Sequence, residues 1–104
     1  MAMLHIVNKS PFERNALKSC LAHALAGDAV LLIEDAVIGA VSGTSLASEL
    51  QAAMSEQAVS IYALGPDLSA RGVSEQRMLD GIQVVDYAGF VDLTVANEKT
   101  QSWL

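Results

Sequence analysis

Residues 29–33 read Ala29-Val30-Leu31-Leu32-Ile33, an unbroken apolar run that stops at Glu34-Asp35. A strand with one wet face alternates apolar and polar residues, whereas a continuous short run suits a strand buried on both faces of a parallel sheet. Three further strand-length runs flank it: Leu4-His5-Ile6-Val7, Val59-Ser60-Ile61-Tyr62-Ala63-Leu64 and Ile82-Gln83-Val84-Val85. The segments between them are long enough for crossover helices. The pattern predicts an α/β layered fold with a mainly parallel central sheet flanked by helices.

The connecting segments carry their own signals. Ser10-Pro11-Phe12-Glu13 has the form of a capping box, with Ser10 as N-cap, Pro11 in the first turn and Glu13 reaching back. A helix is expected over 11–26, stopping at Gly27, with Leu17, Leu21 and Leu25 as its buried stripe. Two helical pieces are expected over 35–56, separated by a turn at Ser42-Gly43-Thr44. The stretch 65–72 reads as irregular and turn-rich, followed by a short helix over 74–79. Asp86 is placed to cap a last helix in which Tyr87, Phe90-Val91 and Thr94-Val95 keep helical spacing. The chain then runs to Trp103-Leu104 with no further strand signal.

Composition bounds the function. The chain has 104 residues, 52% hydrophobic and only 17% charged, with a net charge of −6 and one cysteine. This size suits one domain, 1–104, able to bury a core without staples. A single cysteine makes no internal disulfide. No apolar stretch approaches the ~20 residues of a membrane span, and no secretory signal is visible, so a cytoplasmic protein is expected. The acidic balance disfavours direct nucleic-acid binding, which relies on clustered positive charge. A charge fraction below the usual ~25% points to surface hidden in a partner.

Few residues carry chemistry. Cys20 is the one strong nucleophile candidate, in a small-residue strip Ala16-Cys20-Ala24 beside the leucine stripe. His23, three residues on, is within reach of its sulfur and would favour the thiolate if protonated. Against this, Cys20 lies mid-helix, beyond the help of the positive helix end, and a free cysteine commonly just fills space. His5 reads as a hydrogen-bonded core or sheet-end residue. One Cys and two His at unrelated spacings signal no metal site. Asp35 and Asp86 follow strands, where α/β sheets bind ligands, but helix capping explains both. The Asp67-Leu68-Ser69-Ala70-Arg71-Gly72 loop either touches a ligand or partner or caps a neighbouring helix. No glycine-rich phosphate loop follows the first strand, and the Gly39-Ala40-Val41-Ser42-Gly43 spacing is unspecific, so no cofactor is expected.

Taken in order, Met3-Leu4-His5-Ile6-Val7 leading to Ser10-Pro11, Gly27-Asp28 before Leu31-Leu32-Ile33-Glu34-Asp35, Ile61-Tyr62-Ala63-Leu64, Asp67-Leu68-Ser69-Ala70-Arg71-Gly72, Val85-Asp86-Tyr87-Ala88-Gly89-Phe90-Val91 and Trp103 resemble the DsrH/TusB family of sulfur-relay subunits. The resemblance spans nearly the whole chain. It implies a three-layer DsrE-like fold and a place in a heterohexamer with DsrE/TusD-like and DsrF/TusC-like subunits, which hands sulfur to a small carrier of the DsrC/TusE type. One branch of the family serves sulfur oxidation; the other serves 2-thiolation of the wobble uridine in tRNA. The main sulfur-accepting cysteine of such complexes belongs to the DsrE/TusD-like partner. Because DsrH-like members carry a cysteine in the first helix, Cys20 tips the resemblance toward the sulfur-oxidation branch, with Cys20 as a candidate auxiliary persulfide carrier. The other expectations are the thiolation branch or a non-catalytic scaffold subunit.

Overall fold

A computed structural model describes residues 2–12 and 15–103. The four apolar runs form strands β1 (Met3–Val7), β2 (Ala29–Leu32), β3 (Ser60–Leu64) and β4 (Gln83–Val85). A fifth strand, β5 (Lys99–Trp103), was not foreseen. The sheet order is β4-β3-β2-β1-β5, and every neighbouring pair is parallel. All four residues of β2, the central strand, are buried, as its unbroken apolar sequence demands.

The first crossover helix is shorter than its sequence suggests. α1 spans Ala16–His23 and begins after Asn15, without a side-chain cap. Ser10 instead accepts a hydrogen bond from the Phe12 N–H at 3.3 Å, closing a local turn before the helix. Glu13, the other half of the expected capping box, lies outside the described residues. Pro11 packs so closely on Gly39 that a Cβ there would lie 2.8 Å from its ring. At the other end the chain leaves the helix at Ala24, in extended conformation. Gly27, at φ +89°, therefore turns the following loop rather than ending the helix. Leu17 and Leu21 are buried as expected, but Leu25 lies past the helix end and is exposed.

The remaining connections are a 3₁₀ helix (Glu34–Ala40), α2 (Ala47–Ser55), α3 (Gly65–Ala70), a 3₁₀ turn (Glu75–Arg77) and α4 (Tyr87–Ala96). The stretch 65–72, expected to be irregular, contains α3 because Pro66 occupies its first turn, where a missing N–H costs nothing. Asp86 caps α4 as expected, its Oδ1 accepting from the Gly89 N–H at 2.8 Å.

The two sheet faces differ. One carries Val7, Val30, Leu32, Ile61 and Ala63, packed with Leu17, Cys20 and Leu21 of α1, Leu50 and Ala53 of α2, and Val37. The other carries Leu4, Ala29 and Leu31, and among the described residues only Phe90 and Leu93 of α4 cover it. This follows from topology: β4 and β5 are opposite edges, so α4 must connect them across this face. A ten-residue helix, about 15 Å long, cannot shield five strands. The three layers are therefore unequal.

Candidate functional site

Cys20 is fully buried in the larger core; in the strip around it Ala16 is 9% exposed, and Ala24 is partly buried against the same cluster. Burial pushes the Cys20 thiol up to about 12, and the nearby Asp28 carboxylate adds to the shift. Thiolate, the nucleophilic form, is thus disfavoured in this chain. His23 does not offset this. Its Nδ1–H donates to the Ser19 carbonyl at 2.8 Å, and its ring lies 5.6 Å from that of Trp103.

Next to Cys20 the structure builds a polar cluster whose members the sequence reading did not connect. Asp28, buried at the entrance to β2, accepts three hydrogen bonds: from Met3 N–H (3.0 Å), Leu25 N–H (3.0 Å) and His5 Nε2 (2.9 Å). Burial alone would raise its carboxyl. The three hydrogen bonds and the charge interaction with His5 outweigh burial and hold it below the usual carboxylate value. His5 is itself buried, and its Nδ1 accepts from the Trp103 indole N–H at 3.1 Å. Register explains the reach: Trp103 pairs with Val7, two residues beyond His5 on the same face of β1. Asp28 and Trp103 appeared in the sequence only as family signposts. The missing signal was the fifth strand, which brings residue 103 beside residue 5.

The loop 67–72 and Asp35 serve the fold internally. The Asp67 carboxylate accepts from the Glu34 N–H at 2.6 Å, while Arg71 donates from Nε to Asp35 Oδ1 at 3.0 Å and from Nη1 to the Asp67 carbonyl at 3.3 Å. These contacts pin α3 to the 3₁₀ helix after β2, whose first residue, Glu34, sits at φ +49°. Asp35 is thus an ion-pair partner rather than an N-cap. Gly39 and Gly43 have separate uses, Gly39 as the seat of Pro11 and Gly43 at φ +82° in a turn.

The outer side of α4 is the other notable surface. Tyr87, Val91 and Val95 recur every fourth residue and are 61%, 58% and 80% exposed. With Phe90 and Leu93 turned to the sheet, α4 is apolar on both sides, the composition of a helix buried between two layers. No second layer comes from the described residues of this chain. No helix among the described residues is long and apolar enough to cross a membrane.

Comparison with known proteins fits this geometry. Among solved structures, the ychN protein from E. coli superposes with a TM-score of 0.81 at 18% identity, covering 99% of this chain and 100% of that one. Protein Tm0979 from Thermotoga maritima gives a TM-score of 0.65 at 26% identity, over 94% and 95% of the two chains. In sequence, the chain is 37% identical over 101 residues to Protein TusB of Pectobacterium parmentieri, covering 97% of this chain and all of the relative. It is 37% identical over 103 residues to Protein TusB of Escherichia coli, again over 97% and 100%. Residues 9–100 match the family described as DsrH like protein. With nearly its whole length aligned, the chain belongs to the DsrH-like protein family.

Proposed function

We propose that this chain is a sulfur-relay subunit acting in the branch that thiolates the wobble uridine of tRNA, and that it organises the complex rather than carrying sulfur itself. The first helix cysteine pointed toward sulfur oxidation; the TusB name of the aligned relatives favours thiolation instead. The observation that carries the organising role is the state of Cys20, buried and held as a thiol. A persulfide hand-off needs an attacking thiolate within reach of the donor's outer sulfur, and a sealed mid-core thiol meets neither condition.

The partners are the related DsrE/TusD-like and DsrF/TusC-like chains in the cytoplasm. The Tyr87-Val91-Val95 stripe of α4 is the surface on which one of them packs, completing the half-covered sheet face. Its lack of charge apart from Asp92 suits an interface core. The downstream DsrC/TusE-type carrier then exchanges sulfur with the partner's cysteine.

Co-expression with both related subunits tests this. Val91→Asp with Val95→Asp should leave the single chain folded and prevent the complex from forming on size exclusion; an intact complex refutes the surface assignment. Cys20→Ala should preserve both assembly and sulfur loading of the partner. A fall in loading with assembly intact, or a Cys20 peptide that gains a sulfur atom in mass spectrometry, makes Cys20 a carrier after all. In a bacterium lacking its own TusB, the chain with its partners should restore 2-thiouridine in tRNA. Failure there with an assembled complex overturns the branch assignment.

A further inference from the structure

We propose that His5 is a proton-operated latch on the C-terminal strand: it holds Trp103, and with it β5, only while its Nδ1 is unprotonated. The roles of both ring nitrogens are fixed by their partners. An indole N–H can only donate, so Nδ1 accepts from Trp103; Nε2 therefore carries the proton, which it donates to Asp28. A second proton has only Nδ1 to occupy. It turns the 3.1 Å contact into two facing donors, and the indole must swing away. The proton adds one positive charge to the ring, which stays paired with the Asp28 carboxylate.

The strand has little else to keep it. Lys99, Thr100, Gln101 and Ser102 are all exposed, and Trp103 is the one residue of β5 with its side chain set into the molecule. Apart from the backbone ladder with β1, the strand hangs on this indole, which lies between the rings of His5 (6.1 Å) and His23 (5.6 Å). A cavity of about 200 Å³ bordered by His5, His23, Asp28 and Lys99 opens the site toward solvent and gives the proton its route. The groups facing His5 from its neighbours act in different senses. Asp28, before β2, favours the added proton. Lys99 of β5 and any proton on His23 of α1 oppose it. Cys20, also on α1, stays neutral. Acidification supplies that second proton, so lowering the pH is the perturbation that opens the latch.

Amide hydrogen exchange, corrected for the intrinsic pH dependence, reads the latch directly. Between about pH 8 and about pH 5.5, protection of amides 99–103 should fall roughly tenfold, while that of β2 and β3 stays constant. His23→Gln should keep the effect, since His5 remains. Trp103→Phe keeps an aromatic ring without the donor, so its β5 protection should be independent of pH. Unchanged wild-type protection across this range overturns the proposal without recourse to any variant. A pH-dependent loss in Trp103→Phe equal to wild type, or its disappearance in His23→Gln, assigns the effect elsewhere and also overturns it.

Discussion

Replacing Asp28 by alanine strips three donors of their acceptor at once. The His5 Nε2–H is buried, so its orphaning costs about 2 kcal/mol; the Met3 and Leu25 amides are half-buried and reach water, costing about 0.5–1 kcal/mol each. The sum, about 3–4 kcal/mol, is a large fraction of the ~5–15 kcal/mol that holds a typical domain. Urea unfolding near neutral pH, followed by the one tryptophan, should show the midpoint falling at constant slope. Asp28→Asn retains one acceptor oxygen and should lose about half as much. A separate signature comes from acid. The folded-state carboxyl lies below its ordinary 3.8, so its contribution is complete above that value and is lost as pH falls through the lower folded value. Wild type should therefore lose its advantage over Asp28→Asn only below about pH 4. A loss under about 1 kcal/mol for Asp28→Ala, or an advantage that already fades near neutrality, refutes the cluster as drawn.

Further outcomes follow from local geometry. Ala58 sits exposed at φ +56°, so Ala58→Gly should raise stability by about 1 kcal/mol in urea unfolding. Asp86→Ala removes the cap on α4 and should cost about 1 kcal/mol, with a matching loss of helical circular dichroism. Leu50→Ala, in the core under α2, should cost about 2–5 kcal/mol by the same urea measurement. Ellman's reagent should leave Cys20 untouched in native protein and titrate it fully in denaturant; rapid native labelling means the thiol is not sealed as described.

How much of this the sequence discloses depends on what each residue had to do. Strands β1 to β4 are legible because the interior imposes apolar runs on them. β5 is not: Lys99, Thr100, Gln101 and Ser102 lie exposed along an edge, where nothing demands an apolar pattern and where a lysine guards against stray pairing. Pairing with β1 alone makes them a strand. Ser10-Pro11 misleads for the opposite reason. It carries a genuine local signal, but Pro11 is committed to Gly39 of a distant element, and tertiary contact overrides the capping pattern. For the site, His5 is recognisable as a satisfied histidine, whereas its partners are not, because Asp28 and Trp103 lie 23 and 98 positions away. Cys20 is visible at once, but its isolation from solvent depends on how α1 rotates over the sheet. The outward stripe of α4 was readable only as helical spacing; that none of the described residues covers it is a fact of topology.

The pairing of β1 with β5 has a consequence for how the molecule comes into being. Ribosomes deliver a chain in sequence order, and the second neighbour of β1 emerges only after β2, β3 and β4. Until it emerges, β1 therefore offers bare amides and carbonyls along one side, able to capture a passing strand. Closing the gap joins residues 98 positions apart, a slow step for loop-entropy reasons, so the nascent chain is open to misassembly until β5 arrives.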